Sequence, residues 1–231
     1  MWEELKEEAF EANLQLVKNG LVLFTWGNAS AADHKNHVFA IKPSGVDYAV
    51  MKPKDMVVVD FEGNVVDGTY RPSSDTATHL EIYTHFSAVG GMVHTHSTYA
   101  TAWAQAGRNI PCYGTTQADY FYGDIPCTRS LTIDEIKDAY EQNTGLVICE
   151  TFKDRDILSA PGVICVNHGP FAFGKDAAQA VYHATVLEQC AKMAFLTESI
   201  NPYVMPAQQA ILDKHYLRKH GKDAYYGQDK T

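Results

Sequence analysis

Apolar side chains at Trp2, Leu5, Ala9, Ala12 and Leu16 recur at alternating spacings of three and four, which puts them on one face of a helix. Gly20 is positioned to end it, since glycine takes the left-handed conformation that closes many helices. Beyond it, residues 21–25 and 38–42 are predicted as strands. Each runs into a turn of small residues, Trp26-Gly27-Asn28-Ala29-Ser30 and Lys42-Pro43-Ser44-Gly45. Residues 56–60 and 65–66, joined across Glu62-Gly63-Asn64, are predicted as a hairpin. Arg71-Pro72-Ser73-Ser74-Asp75 leads into a predicted helix over 78–86, with Ser74 or Asp75 as the cap. Residues 91–95 are predicted as a short strand and 98–106 as a helix. Further helices are predicted over 132–143, 176–196 and 207–219, and the β-branched runs 146–151 and 163–166 as strands. Strands in a run, then strands alternating with helices, predict an α/β fold: a mixed sheet with helices on its faces.

Composition narrows this picture. The 231 residues contain no Ser/Gly/Pro-rich stretch or long run of one charge that would mark a linker, so one domain over 1–231 is expected. The net charge of −9 argues against a nucleic-acid partner, because a phosphate backbone is held through a basic face. Any anionic small substrate must be gripped locally instead. The five cysteines are odd in number and widely spaced, without C-x-x-C, which predicts reduced thiols in a cytoplasmic protein. An acidic Met1-Trp2-Glu3-Glu4 opening lacks the basic start of a signal peptide. No apolar run approaches the roughly 20 residues that span a bilayer, so no membrane partner is expected.

Within Gly91-Met92-Val93-His94-Thr95-His96-Ser97, residues two apart on a strand project to one face, so His94 and His96 can reach one ion. Alone, H-x-H is equally two histidines on a polar strand face. His168 ends another apolar stretch in Val166-Asn167-His168-Gly169-Pro170, and Asp75 at a helix start adds a hard oxygen. Three imidazoles and a carboxylate suit a catalytic zinc or manganese that can still accept substrate oxygens. The turns at Gly27-Asn28, Ser44-Gly45 and Ser73-Ser74 offer N–H groups and short hydroxyls to an anion. Ser73-Ser74 adds the positive end of the next helix, and Lys42 a point charge. Each turn taken singly is ordinary turn chemistry; next to a metal site they point together to phosphate. Asp119 in Thr115-Thr116-Gln117-Ala118-Asp119-Tyr120, Glu141, His215, His220, Tyr225 and Tyr226 are acid/base candidates. From the residues alone each has a structural explanation: a turn cap, a solvated helix position, a helix C-terminus or an aromatic seal.

Taken together, Thr25-Trp26-Gly27-Asn28, Ile41-Lys42-Pro43-Ser44-Gly45-Val46, Pro72-Ser73-Ser74-Asp75-Thr76, Val93-His94-Thr95-His96-Ser97, Ala118-Asp119-Tyr120-Phe121, His168-Gly169-Pro170-Phe171 and the segment from Lys214-His215-Tyr216 to Tyr225-Tyr226-Gly227-Gln228 resemble the L-ribulose-5-phosphate 4-epimerases. These belong to the class II aldolase and adducin-head superfamily, and the resemblance runs nearly end to end. It implies a three-layer α/β/α fold with a central, mainly antiparallel mixed sheet, in a homotetramer with active sites between subunits. It implies Zn2+ held by Asp75, His94, His96 and His168, with Mn2+ or Co2+ as substitutes. It implies substrate phosphate held by Gly27, Asn28, Lys42, Ser44, Gly45, Ser73 and Ser74. Asp119 and Tyr226 would be the acid/base pair, Tyr226 reaching in from the adjacent subunit, with Thr115, Glu141 and His215 in support. One departure stands at Gln117, where the resembling enzymes carry histidine; glutamine can hydrogen-bond but not titrate.

The reaction implied is inversion at carbon 4 of a pentulose 5-phosphate, interconverting L-ribulose and D-xylulose 5-phosphates in arabinose or ascorbate breakdown. That carbon does not adjoin the carbonyl, so the implied route is retro-aldol cleavage of C3–C4 and re-addition to the other aldehyde face. A class II aldolase, releasing the aldehyde, is the nearest alternative. Such aldolases usually carry glutamate where Asp75 stands.

Overall fold

In the computed structural model, which describes residues 1–226, the order is α1 (Glu3–Lys18), β1 (Gly27–Asp33), β2 (Val38–Ile41), a 3-10 turn (Pro53–Asp55), β3 (Val57–Asp60) and β4 (Val65–Asp67). There follow α2 (Thr76–His85), β5 (Gly91–Thr95), α3 (Thr98–Ala106), the one-turn α4 (Thr115–Ala118), α5 (Ile133–Asp138), α6 (Tyr140–Thr151), β6 (Gly162–Ile164), β7 (Pro170–Gly174), α7 (Ala177–Ile200) and α8 (Gln209–His220). Gly227 and Gln228, the end of the C-terminal motif, lie outside the described residues.

Seven strands form one sheet in the order β4-β3-β2-β1-β5-β7-β6, and every neighbouring pair is antiparallel. Side-chain size alternates along these strands with the pleat. Phe39, Ile41, Val57, Val59, Met92, Phe171 and Phe173 face Ile82 and Tyr83 of α2 and Ile148 of α6. Ala29, Ala31, Ala40, Val93 and Ala172 face Ala9, Ala12 and Leu16 of α1 and Ala177, Ala180 and Ala184 of α7. Small side chains on both sides of this second interface let α1 and α7 lie close to the sheet. The large residues fill the wider gap on the other face. The result is the α/β/α layering of the sequence expectation.

Several elements differ from the sequence pattern. The strand predicted at 21–25 is irregular, and Leu23 and Phe24 are exposed, with Phe24 at φ 52°. The small-residue stretch read as a turn is instead the start of β1, the central strand; alanine and serine suit it because α1 packs directly on it. The run 146–151, predicted as a strand, belongs to α6. Helix costs of up to about 0.7 kcal/mol per residue are outweighed there by burial of Val147 and Ile148. Gly145 permits this packing, since a Cβ on it would stand 2.7 Å from the Glu81 Cβ of α2. The helix predicted over 132–143 is two helices, broken at Ala139, whose φ of −138° and ψ of 71° are not helical. Finally β7, hidden behind the turn residues Gly169 and Pro170, is fully buried. Pro170 is its first residue, where a strand tolerates a missing N–H.

Candidate active site

The β1–β5 register sets Asn28 opposite His94. His94 continues the pleat of Met92 toward the α2/α6 face, and His96 follows the strand end. His168 arrives from the turn between β6 and β7, where Asn167 has φ 60°. A Cβ on Gly169 would stand 2.8 Å from the Thr95 carbonyl, so glycine lets this turn close beneath the site. One ligating atom from each of His94, His96 and His168 lies within 4.8 Å of the others. The His94 and His168 ring centroids are 4.6 Å apart.

The protonation pattern suits a divalent cation. The Nδ1 of His94 donates to the Pro170 carbonyl at 3.0 Å, because a carbonyl can only accept, and this leaves Nε2 as the ring nitrogen free to meet an ion. Its ring stacks on Phe171 with centroids 4.2 Å apart. Burial, reinforced by His94, brings the His168 pKa down to about 4, and the same two causes lower that of His96. Both imidazoles are therefore neutral at pH 7, the form that binds metal. Asp75 sits beside them at the start of α2. Burial raises its carboxyl, but His94, His79 and the Asn28 amide outweigh burial and hold it below the ordinary carboxylate range. The Asn28 Nδ2 donates to the Asp75 Oδ2 at 2.6 Å and to the Ser73 Oγ at 3.1 Å. The three-histidine cluster thus fits a zinc-like ion; Asp75 lines the same cavity but is not one of the three residues whose ligating atoms lie within 4.8 Å of one another.

These groups open into a cavity of 560 Å³ that is also lined by Gly27, Asn28, Lys42, Ser44, Gly45, Ser73 and Ser74. The structure corrects one part of the turn reading. The N–H of Ser44 is spent on the Arg71 carbonyl and that of Ser73 on the Lys42 carbonyl, so these two N–H groups lace the turns together. Among the described residues, the N–H groups of Gly45 and Ser74 have no protein partner and are the available donors. Lys42 is buried; its Nζ donates to the carbonyls of Val46 at 2.6 Å and Pro43 at 3.3 Å. Burial lowers its pKa to about 8, with Asp47 opposing.

Glu141 lines the same cavity from the first turn of α6. Thr78 of α2 donates its hydroxyl to the Glu141 carbonyl at 2.6 Å and fixes that turn over the site. Tyr140, which the sequence reading did not single out, also lines it, with its hydroxyl 3.3 Å from the Nδ1 of His168.

The other acid/base candidates form a second cluster outside this cavity. Asp119 closes α4 and accepts from Nη2 of Arg218 at 2.8 and 2.9 Å, from its Nε at 3.1 Å, and from the Nδ1 of His215 at 3.1 Å. Burial raises its carboxyl, but the bonds from Arg218 and His215 hold it below the usual range. Tyr226 lies with its ring 4.8 Å from the Arg218 guanidinium and 4.3 Å from the Lys219 ammonium. Thr115 is exposed at the start of α4. Arg218 and Lys219 lie in the last turn of α8, and the fold turns both onto Asp119. Gln117 donates to the carbonyls of Ile110 and Gly123 at 3.2 and 3.1 Å, a bracing task that requires no titration.

Sequence reasoning also passed over His79, one turn beyond Asp75. It is fully buried, with Nδ1 2.6 Å from the Ser30 hydroxyl, which in turn meets the Tyr83 hydroxyl at 2.6 Å. Burial brings the His79 pKa down to about 3. The spacing 75, 79, 83 on a helix against 28 and 30 on a strand was the available signal.

Among solved structures, the chain is similar to an L-fuculose 1-phosphate aldolase at 26% identity and a TM-score of 0.76, covering 92% of this chain and 94% of that one. It is similar in fold to an L-fuculose 1-phosphate aldolase from Glaciozyma antarctica, at 20% identity and a TM-score of 0.74 over 93% of this chain and 80% of that one. It is also similar in fold to YgbL from Escherichia coli, at 19% identity and a TM-score of 0.73 over 92% and 97%. Residues 7–195 match the Class II Aldolase and Adducin N-terminal domain. The chain belongs to that family.

Proposed function

We propose that this protein is a divalent-metal-dependent L-ribulose-5-phosphate 4-epimerase, inverting C4 of a pentulose 5-phosphate by breaking and remaking the C3–C4 bond. The observation that carries this reading is one cavity holding both the three-histidine cluster and the open N–H groups of Gly45 and Ser74. His94, His96 and His168, with Asp75, would hold a zinc ion, or manganese or cobalt in its place, and that ion would supply Lewis acidity for the developing negative charge.

The remaining steps belong to the chain. Gly45, Ser44 and Ser74 grip the phosphate at the N-terminal end of α2, and this keeps the aldehyde fragment from escaping between cleavage and re-addition. One of Asp119 and Tyr226 takes the C4 hydroxyl proton as the C3–C4 electron pair passes to C3. This leaves glycolaldehyde phosphate and the enediolate of dihydroxyacetone. The aldehyde turns, C3 attacks its opposite face, and the other residue returns a proton to the new C4 oxygen. Asp119 is kept ionised by Arg218, so it has the charge state to accept a proton, with its basicity reduced by the same ion pair.

Asp119 and Tyr226 lie outside the cavity of their own chain, so this mechanism draws them from a second copy in a homotetramer. The exposed apolar side chains Ile200, Tyr203 and Met205, between α7 and the Asp119-binding α8, support such an interface. Free cysteines throughout the described residues are in keeping with a cytoplasmic enzyme. Among those residues no helix is long and apolar enough to cross a membrane.

A second reading, an aldolase that releases its aldehyde, is favoured by the similarity to L-fuculose 1-phosphate aldolase. Asp75 favours the epimerase, because its shorter side chain stays beside the histidines instead of reaching past them as glutamate would. The deciding experiment is a timed incubation with L-ribulose 5-phosphate, with zinc and after chelation, assaying D-xylulose 5-phosphate and free glycolaldehyde phosphate. Zinc-dependent xylulose phosphate with little free aldehyde supports the epimerase. Mostly free aldehyde makes the protein an aldolase.

A further inference from the structure

Two turns and the first residues of β1 contribute to the phosphate end of the cavity, and something must hold them in register. The turns, at 43–45 and 71–74, are laced by the bonds from Ser44 to Arg71 and from Ser73 to Lys42 and by the Pro43–Pro72 bridge. Gly27-Asn28, at the start of β1, is tied to the 71–74 turn by the Asn28 amide on Ser73 and Asp75. Tyr48 ties it to the 43–46 loop. This tyrosine is buried, and its hydroxyl donates to the Gly27 carbonyl at 2.7 Å. Its ring lies 4.7 Å beneath the Nζ of Lys42. That ammonium in turn donates to Pro43 and Val46, the carbonyls flanking Ser44-Gly45. A buried ring under an ammonium is a favourable electrostatic contact.

We propose that Tyr48 is a positioning residue for phosphate recognition, coupling Gly27-Asn28 through Lys42 to the Ser44-Gly45 turn. It touches neither the substrate nor the cavity. Its two ends fix groups that do line the cavity: the hydroxyl sets the Gly27 main chain and the ring sets the lysine that closes the 43–46 loop. Gly27 cannot relax freely toward any new partner, because its own surroundings are filled: even a Cβ there would stand 2.7 Å from the Val22 Cγ1. The Tyr48 hydroxyl therefore fixes Gly27 relative to the 43–46 loop, while the Asn28 bonds to Ser73 and Asp75 fix it relative to the 71–74 turn. The inference rests on the phosphate reading of this cavity, though not on which phosphorylated sugar is turned over.

The test uses Tyr48→Phe, which keeps the ring and removes only the Gly27 bond, and Tyr48→Leu, which removes both. Inorganic phosphate is titrated into chelated full-length protein and followed by phosphorus NMR, alongside thermal denaturation. The Phe variant is expected to weaken phosphate binding about five- to tenfold, the effect of one neutral hydrogen bond, and the Leu variant further. With metal restored, KM for the sugar phosphate should rise by a similar factor while kcat holds. A lower Tm with unchanged phosphate affinity, or a fall in kcat at constant KM, overturns the proposal. Phosphate binding weakened by Y48F in a protein that converts no sugar phosphate would sustain the positioning role and sink the epimerase reading. Absence of phosphate binding in the unaltered protein would remove the inference together with the phosphate site.

Discussion

Asn28 donates its amide to the Asp75 carboxylate across 2.6 Å, joining the first residues of the central strand to the start of α2. The bond occupies one carboxylate oxygen; among the described residues the other has no hydrogen-bond partner. Asn28 would thus act on the proposed metal site through Asp75. Outer partners of this kind typically change metal affinity by 10–100-fold. Asn28→Ala is expected to weaken zinc binding by about tenfold or more. Asn28→Asp should be worse, because it places a second carboxylate against the first. Competition with a chromophoric chelator measures both, and unchanged affinity in the aspartate variant would mean that Asp75 is no ligand.

The proposed sharing of a site between two copies makes a distinctive prediction. Asp119→Asn and His96→Ala should each be inactive alone. In mixed tetramers a site pairing intact histidines from one subunit with an intact Asp119 from the next is restored. Random mixing should recover about a quarter of wild-type activity in a cyclic tetramer. Verified hybrids without recovery would place Asp119 outside the reaction.

Gly27→Ala should damage fold and site together. The new Cβ would stand 2.9 Å from the His94 carbonyl, which is main chain and cannot rotate away, and φ is 156°. Strain of this kind costs on the order of 1–3 kcal/mol, and each kcal/mol lowers Tm by roughly 2–4 °C for a chain of this size. Because the clash is with His94, zinc affinity should fall as well. Calorimetry with and without zinc checks both; a variant as stable as wild type would remove the crowding argument.

His183 gives a pH dependence independent of the metal. It is buried in α7, its Nδ1 donates to the Phe173 carbonyl at 2.6 Å, and burial lowers its pKa below the ordinary 6.5, with His220 adding to the effect. The folded protein keeps this imidazole neutral where the unfolded chain takes up a proton. Its contribution is present above about pH 6.5 and is lost as pH falls below that value. His183→Gln, which retains a donor for Phe173, should flatten the acid-side decline of Tm below about pH 6.5. An unchanged slope would assign that decline to other groups.

The sequence by itself determined the locally encoded parts. The three-and-four spacing of α1, the bounds of β5 and α3, the hairpin of β3 and β4, and H-x-H at the end of β5 all follow from periods within a few residues. The grouping of His94, His96 and His168 was expected from their residue type and their places at strand ends, and the fold brings one ligating atom of each within 4.8 Å of the others. Tertiary structure decided what depends on partners far along the chain. Ala29-Ser30-Ala31 is a central strand only because α1 covers it, and residues 146–151 are helical only because Gly145 lets α6 lie on α2. Arg218 lies 99 residues from Asp119, so no local pattern could reveal that a helix-terminal cation is its ion-pair partner. The same holds for Tyr48 on Gly27 and His79 under Ser30: each is an ordinary residue in its own segment. Side-chain periods fix which face a residue occupies, but only the packing of one element on another fixes what that face meets.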